Sequence, residues 1–334
     1  MPSLLPILQP EEPPLAGIAR LASLGHSLDR GHEVEYFSLP VRSLLNRCTS
    51  ARMPFTWTIN PYRGCEFACK YCYARYTHEF MEMRDGLDFE RKIYVKQPAA
   101  ELLRHDLKRA KPGEDIAIGT ATDPYQPAER RFQITRAIME ELARHHGLSI
   151  GVVSKSMLML RDVELFRQIA AHNDFEFNLT ITTLDTHLAR ILEPRAPRPD
   201  LRLEAVSKLA RAGIAACVIV APVMPGISDS PKQLDALVKA AKEAGARHIF
   251  ANALFLKPCS QAIFMPWLQK EFPGLAAKYR ERYSSQAFLP AAYRKRLSSL
   301  MAALRQKHGF PQRERYDRPK ALKEPPAGLQ MRLF

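Results

Sequence analysis

Between residues 55 and 254, short apolar β-rich runs alternate with longer segments in which apolar residues recur at helical spacing. The strand-like runs fall at 55–60, 115–121, 148–154, 176–183, 215–222 and 248–254. Helix boundaries are legible between them: Ser230 before Pro231 is an N-cap followed by proline in the first helical position, and Gly213 and Gly245 close helices just before strands. Repeated strand–helix units with mainly apolar strands imply a parallel sheet covered on both faces. Six units are too few for a closed eight-stranded barrel. The expected α/β architecture is therefore a partial (β/α)6 TIM-like barrel or a doubly wound sheet, with chemistry gathered at the C-terminal ends of the strands.

After Pro258 the alternation stops, and 259–310 reads as a C-terminal helical appendage to a core at 51–258. Its aromatics Phe264, Trp267, Tyr279, Tyr283 and Tyr293 recur at helical intervals, which favours packing over base stacking. Residues 1–50 and 311–334 are Pro-rich or charged and read as an N-terminal extension and a basic flexible tail. No apolar run reaches the roughly 20 residues of a membrane span, and residues 1–15 lack the basic start of a secretory signal. A soluble cytoplasmic protein with no membrane partner is expected.

Charge and cysteine usage sharpen this picture. The net charge is +14, and from Lys270 onward 15 Lys and Arg face only 5 Asp and Glu. Such a basic region suits phosphate neutralisation on nucleic acid, or simply a solvated surface. Six cysteines are too few for a disulfide scaffold in 334 residues. Three of them, Cys65, Cys69 and Cys72, crowd into eight positions, which points to metal. Cys48, Cys217 and Cys259 read as small buried hydrophobes or inert thiols.

The crowded cysteines form C-x3-C-x2-C on a loop directly after the first predicted strand. Three thiolates can each take one iron of a cubane and leave the fourth iron open. Zinc suits thiolates too, but a structural zinc site needs four protein ligands, and His78 is the nearby completion.

This spacing, with Tyr71 inside it, resembles the radical S-adenosylmethionine (SAM) superfamily. Longer strings are similar to the spore photoproduct lyase, or DNA repair photolyase, group: NPYRGCEFACKYCYAR from residue 60, GTATDPYQPAE at 119–129, SKS at 154–156, TITTLD at 180–185, LEPRAPRPDLRLEA at 192–205 and APVMPGISD at 221–229. The likeness runs from about Tyr36 to Gly309. It implies a 4Fe-4S cluster on the three cysteines, cleavage of SAM to a 5'-deoxyadenosyl radical, and an electron donor such as a flavodoxin or ferredoxin.

Carried over by position, the resemblance places Tyr71 by the adenine and Thr122 and Asp123 at the methionine amino group. Lys155, Ser156, Thr180 and Thr182 would line the SAM ribose and carboxylate. Arg202 would pair that carboxylate through its guanidinium fork. Glu193 would bind a sugar hydroxyl or anchor Arg195. Asp123 and Glu193 also precede prolines, where they can serve as turn residues, and Lys155 can be solvated.

Group members that repair the spore thymine lesion carry a hydrogen-donating cysteine near the end of the second strand. Here that stretch is Thr120-Ala121-Thr122-Asp123. Substitute donors are Cys259, Tyr62 and Tyr125. At the far end Gln330, Met331, Leu333 and Phe334 resemble the short peptide by which bacterial repair proteins dock on the sliding clamp. The expected activity is radical chemistry on nucleic acid, possible damage included. The alternatives are modification of a peptide or small metabolite, and a noncatalytic iron–sulfur or zinc protein that binds nucleic acid.

Overall fold

The computed structural model describes residues 15–311 apart from 32, 51, 52 and 112. In chain order the strands are β1 (Ser27–Arg30), β2 (Glu35–Pro40), β3 (Leu45–Arg47), β4 (Trp57–Ile59), β5 (Tyr62–Arg63) and β6 (Lys92–Gln97). They continue with β7 (Asp115–Ile118), β8 (Ser149–Ser154), β9 (Asp174–Thr180), β10 (Ala215–Val223) and β11 (His248–Ala253).

All six strands read from the sequence are present. They lie side by side and parallel in the order β4-β7-β8-β9-β10-β11, the strand order of the expected (β/α)6 arrangement. Ile116, Ile118, Ile150, Val152, Phe177, Leu179, Val218 and Val220 put a continuous apolar core between sheet and helices. Parallel neighbours need crossover helices, and Ile134–Leu142, Val163–Ala170, Pro199–Arg211 and Pro231–Glu243 supply four of them. The second strand ends earlier than expected because Gly119 turns to φ +88°, where an added Cβ would stand 2.5 Å from the Val153 carbonyl oxygen.

The first 50 residues depart from expectation. Instead of a loose extension, the described part builds a helix, Gly17–Ser23, and three strands. β3 pairs antiparallel with β4 and edges the main sheet. β2 pairs parallel with β6, and together with β1 and β5 they form a second, four-stranded sheet. One face of this small sheet, through Tyr36, Tyr62, Ile93 and Val95, joins the main core. The other, with Leu39 and Tyr94, packs on Ile18 and Met81.

The C-terminal helices Pro258–Glu271, Pro273–Arg282 and Ala291–Lys307 are present as expected, and their aromatics are core. Phe264, Trp267, Tyr279 and Tyr283 pack in the same apolar cluster as Cys65, Cys69 and Tyr71. The appendage thus walls one side of the cysteine loop. Tyr279 and Tyr283 donate their hydroxyls to the Pro225 and Leu254 carbonyls, satisfying each buried phenol. No described helix is long and apolar enough to cross a membrane. The clamp-like residues Gln330, Met331, Leu333 and Phe334, with nearly all of the predicted tail, lie outside the described residues.

Candidate active site at the strand ends

The cysteine loop leaves β5 through Gly64, whose φ of +85° and close approach to the Lys92 carbonyl, 2.7 Å from an added Cβ, admit only glycine. Backbone bonds then pin the loop at intervals: Cys65 N to Phe89 O at 2.8 Å, Lys70 N to Leu192 O at 2.9 Å and Cys72 N to Cys69 O at 3.2 Å. Side chains hold its carbonyls. Thr122 Oγ1 and Gln126 Nε2 donate to Gly64 O, Arg75 Nη2 to Cys69 O and Ser260 Oγ to Cys72 O. Arg75 is itself fixed by Glu90 at 2.6 Å in a buried ion pair.

The loop therefore presents three thiols from a backbone that is anchored on all sides. Burial pushes Cys69 up to about 12 and Cys65 well above its ordinary value; Cys69 and Cys72 add to the rise at Cys65, and Cys72 to that at Cys69, so the three stand close together. Among the described residues, no three of His, Cys, Asp and Glu converge closely enough to hold a single ion. Buried thiols crowded this way are costly as bare thiolates and become favourable ligands once cationic iron compensates them. His78, the zinc completion considered from sequence, spends Nε2 on Lys92 O at 3.1 Å and packs its ring on Phe89 and Tyr94, while its buried Nδ1 has no partner.

Above the thiols lies a buried polar network centred on Glu193, which is 1% exposed. Its Oε1 accepts from the Tyr71 hydroxyl and from Thr182 Oγ1 at 3.0 Å, and its Oε2 accepts from Arg202 Nη2 at 2.5 Å. Burial pushes the Glu193 carboxyl up, yet Arg202, Lys155 and the Tyr71 hydroxyl together hold it below the ordinary carboxylate range. Arg202 spends its remaining reach on carbonyls, Nη1 on Thr180 O at 3.0 Å and Nε on Pro197 O at 2.8 Å. This corrects one expectation: Glu193 anchors Arg202, not Arg195, which pairs with Glu33 at 2.5 Å, and Arg202 reaches the site already paired with Glu193.

Lys155 is the cation left over. Its Nζ stands 5.8 Å from the Tyr71 ring centroid, and among the described residues no hydrogen bond or ion pair engages it. Burial lowers its affinity for a proton, but Cys69 and Glu193 more than restore it, so Lys155 is charged. Its backbone N–H donates to Asp123 Oδ2 at 2.7 Å, while Asp123 Oδ1 accepts from Ser154 Oγ at 2.7 Å and from Tyr125 N at 3.0 Å. Asp123 thus ties the second strand's end to the third's. Ser156 continues this corner, its N–H donating to Ser154 Oγ and its own hydroxyl accepting from Leu158 N.

The structure brings together Cys65, Cys69, Cys72, Tyr71, Thr122, Asp123, Lys155, Ser156, Thr180, Thr182, Glu193 and Arg202, one contact leading to the next. It does not add the three hydrogen-donor candidates. Tyr62 is fully buried in the main core and donates to Glu129 Oε2 at 2.5 Å. Tyr125 lies in the same core, donating to Asp162 Oδ2 at 3.2 Å. Both phenols are structural anchors. Cys259 opens the helix beyond β11 and interacts with Ser260 and Glu79, while the neighbouring Ser260 bonds the Cys72 carbonyl of the loop.

Sequence reasoning missed the braces of the loop. Glu66 accepts from Ala128 N at 2.7 Å and Tyr36 OH at 3.1 Å, and Gln126 Oε1 accepts from Glu66 N at 2.9 Å. Both residues stand inside strings already singled out, so their polar side chains within otherwise apolar turns were the available signal.

Comparison with known proteins agrees with this geometry. The spore photoproduct lyase structure complexed with dinucleoside spore photoproduct superposes with a TM-score of 0.61 at 15% identity, covering 82% of this chain and 79% of that one. A variant of that lyase with bound AdoMet and dinucleoside spore photoproduct gives 0.62 over the same shares. At these identities the likeness is one of fold. An uncharacterized protein of Mycobacterium tuberculosis is 36% identical over 273 residues, 81% of this chain and 80% of its own length. A family model described as the radical SAM superfamily matches residues 59–249, from the end of β4 to the start of β11. With the cysteine loop and strand-end network inside that span, the chain belongs to the radical SAM superfamily of enzymes.

Proposed function

We propose that Cys65, Cys69 and Cys72 hold a 4Fe-4S cluster beside bound SAM and that the enzyme abstracts hydrogen from a nucleic acid. When bound, cluster and SAM together supply a reductive C–S cleavage that yields a hydrogen-abstracting carbon radical. The observation that carries the reading is the pairing of three mutually close thiols, two of them buried, with the half-buried cation Lys155, which no described residue pairs.

The chain's own residues then divide the work. Lys155, not Arg202, offers its charge to a ligand carboxylate. Arg202 keeps Glu193 ionised, and Glu193 orients the Tyr71 hydroxyl, so the Tyr71 ring holds one attitude at the cluster loop. Asp123 fixes the backbone on which Lys155 stands. Phe264, Trp267 and Leu256 exclude water from the loop's outer side, which protects a reactive radical from quenching.

Two features support nucleic acid as substrate. The solved lyase with the same fold was crystallised with a dinucleoside lesion. Independently, the helix Ala291–Lys307 contains no acidic residue and exposes Arg294, Lys295 and Arg296. The second strand's end offers Ala121 and Thr122 where lesion-repairing relatives place a thiol, so the hydrogen returned to substrate comes from another group.

Deuterium transfer tests the substrate class. The reconstituted, reduced enzyme is incubated with SAM and uniformly deuterated, ultraviolet-irradiated DNA, and the 5'-deoxyadenosine formed is weighed by mass spectrometry. The expected result is deuterium in the 5'-methyl group. Unlabelled 5'-deoxyadenosine, formed at a rate that DNA does not change, would contradict nucleic acid as substrate.

A further inference from the structure

The small sheet carries a charge arrangement that the site above does not use. In the antiparallel pair β5–β6, Arg63 lies opposite Tyr94, so Lys96 is its diagonal neighbour on the same face. Diagonal positions in such a pair are about 7–8 Å apart, within reach of two long side chains. Apart from Glu35 and Lys92 at its other end, that face is apolar, with Leu39 and Tyr94 packed on Ile18 and Met81.

Two cations on an apolar face call for an anion. Lys96 is 6% exposed, and among the described residues no hydrogen bond or ion pair engages its Nζ. Arg63 spends Nη1 on the Thr77 carbonyl at 3.0 Å, and its Nε is buried without a partner. The neighbouring carboxylates are committed elsewhere: Asp88 to Lys92, Glu90 to Arg75, and Glu35 stands opposite Lys92 at the strand's other end. A third cation, Lys257, sits with Nζ 3.6 Å from the ring centroid of Tyr76, the residue beside Thr77. Burial, then the Arg63 charge, holds Lys96 down to about 7, as expected of an amine whose counter-ion is missing.

We propose that Arg63 and Lys96 form a phosphate site that receives a backbone phosphate of the nucleic-acid substrate; this rests on the nucleic-acid reading above. A tetrahedral oxyanion matches the set, since one oxygen can face the unused Arg63 Nε and another the Lys96 ammonium. Arg63 lies two residues before Cys65. A phosphate held there registers the strand against the cysteine loop without touching a base, so the site positions rather than selects.

The test uses the reconstituted protein under anaerobic conditions, with inorganic phosphate exchanged for chloride at constant ionic strength. Wild type is expected to gain about 2–4 °C in Tm at phosphate tenfold above its dissociation constant, saturably. Lys96→Met, which replaces the buried ammonium with an apolar chain of similar length, should show no phosphate response. Arg63→Gln should respond weakly and serves in its place if Lys96→Met does not fold. A wild type indifferent to phosphate, or a Lys96→Met protein that responds like wild type, overturns the site.

A second arm identifies the source of the phosphate. Affinity for a short single-stranded oligonucleotide should fall about tenfold or more in either variant, as expected for a lost charged hydrogen bond. The dependence of log K on log salt should become shallower by about 0.7 per contact removed. If phosphate stabilises wild type while both variants bind the oligonucleotide unchanged, the backbone assignment is overturned and the site takes free phosphate. If wild type binds no oligonucleotide at all, the nucleic-acid reading fails, and the phosphate arm still judges the site by itself.

Discussion

Cys69→Ala is expected to reduce both the brown iron–sulfur absorption of the reconstituted protein and its 5'-deoxyadenosine formation to background. Cys69 is the middle ligand of the three, 7% exposed, and its backbone carbonyl is fixed by Arg75. Removing its sulfur leaves two thiols for a cluster that needs three. The fold should survive. Losing one buried sulfur costs about 1–2 kcal/mol, small beside the packing of Phe264, Trp267 and Tyr279 around the loop. Circular dichroism unchanged with the absorption gone separates ligand loss from unfolding. Iron retained at the wild-type ratio would show that the cluster, if present, has other ligands.

The second large effect concerns stability. Arg202→Met is expected to destabilise the protein by about 3–5 kcal/mol, because it leaves Glu193 as an unpaired buried carboxylate. The side chains of the pair are 1% and 0% exposed, so solvent screens little of this. With Arg202 in place Glu193 is held below its ordinary range and is ionised at pH 7; without Arg202, burial raises the carboxyl against Lys155 and the Tyr71 hydroxyl. The double variant Arg202→Met with Glu193→Gln should recover a substantial part of the loss, since no uncompensated charge then remains. Urea unfolding of the four proteins measures the coupling. Additive losses would mean that the two side chains do not act as a pair.

Much of this architecture was legible in the sequence. Apolar runs such as those around Ile116 and Val218 read as strands covered on both faces, and their side chains lie in the core between sheet and helices. The cysteine loop was legible because thiol chemistry demands short spacing. What escaped depended on distant partners. The small sheet was missed because β5 spans two residues and β6, Lys92–Gln97, carries a lysine at each end of a short apolar centre. Nor does sequence say which of Arg195, Arg198 and Arg202 meets Glu193. The answer follows from the helix starting at Pro199, which turns Arg202 inward and leaves Arg195 and Arg198 to Glu33 and Asp200. Tyr62 and Tyr125 looked available only because Glu129 and Asp162, their acceptors, are far along the chain or on another element.

The same limit explains Lys155. As a residue between two serines at a strand end it could as well have been solvated; the fold instead sets it over Tyr71, with Cys69 and Glu193 keeping it charged.

Electron paramagnetic resonance of the reconstituted, dithionite-reduced protein, before and after adding SAM, tests the central claim most directly. A half-spin signal of a reduced 4Fe-4S cluster whose g-values shift when SAM is added is the predicted result, because an open iron must then have gained a ligand. Zinc in place of iron, or a cluster signal that SAM leaves unchanged, would contradict the account.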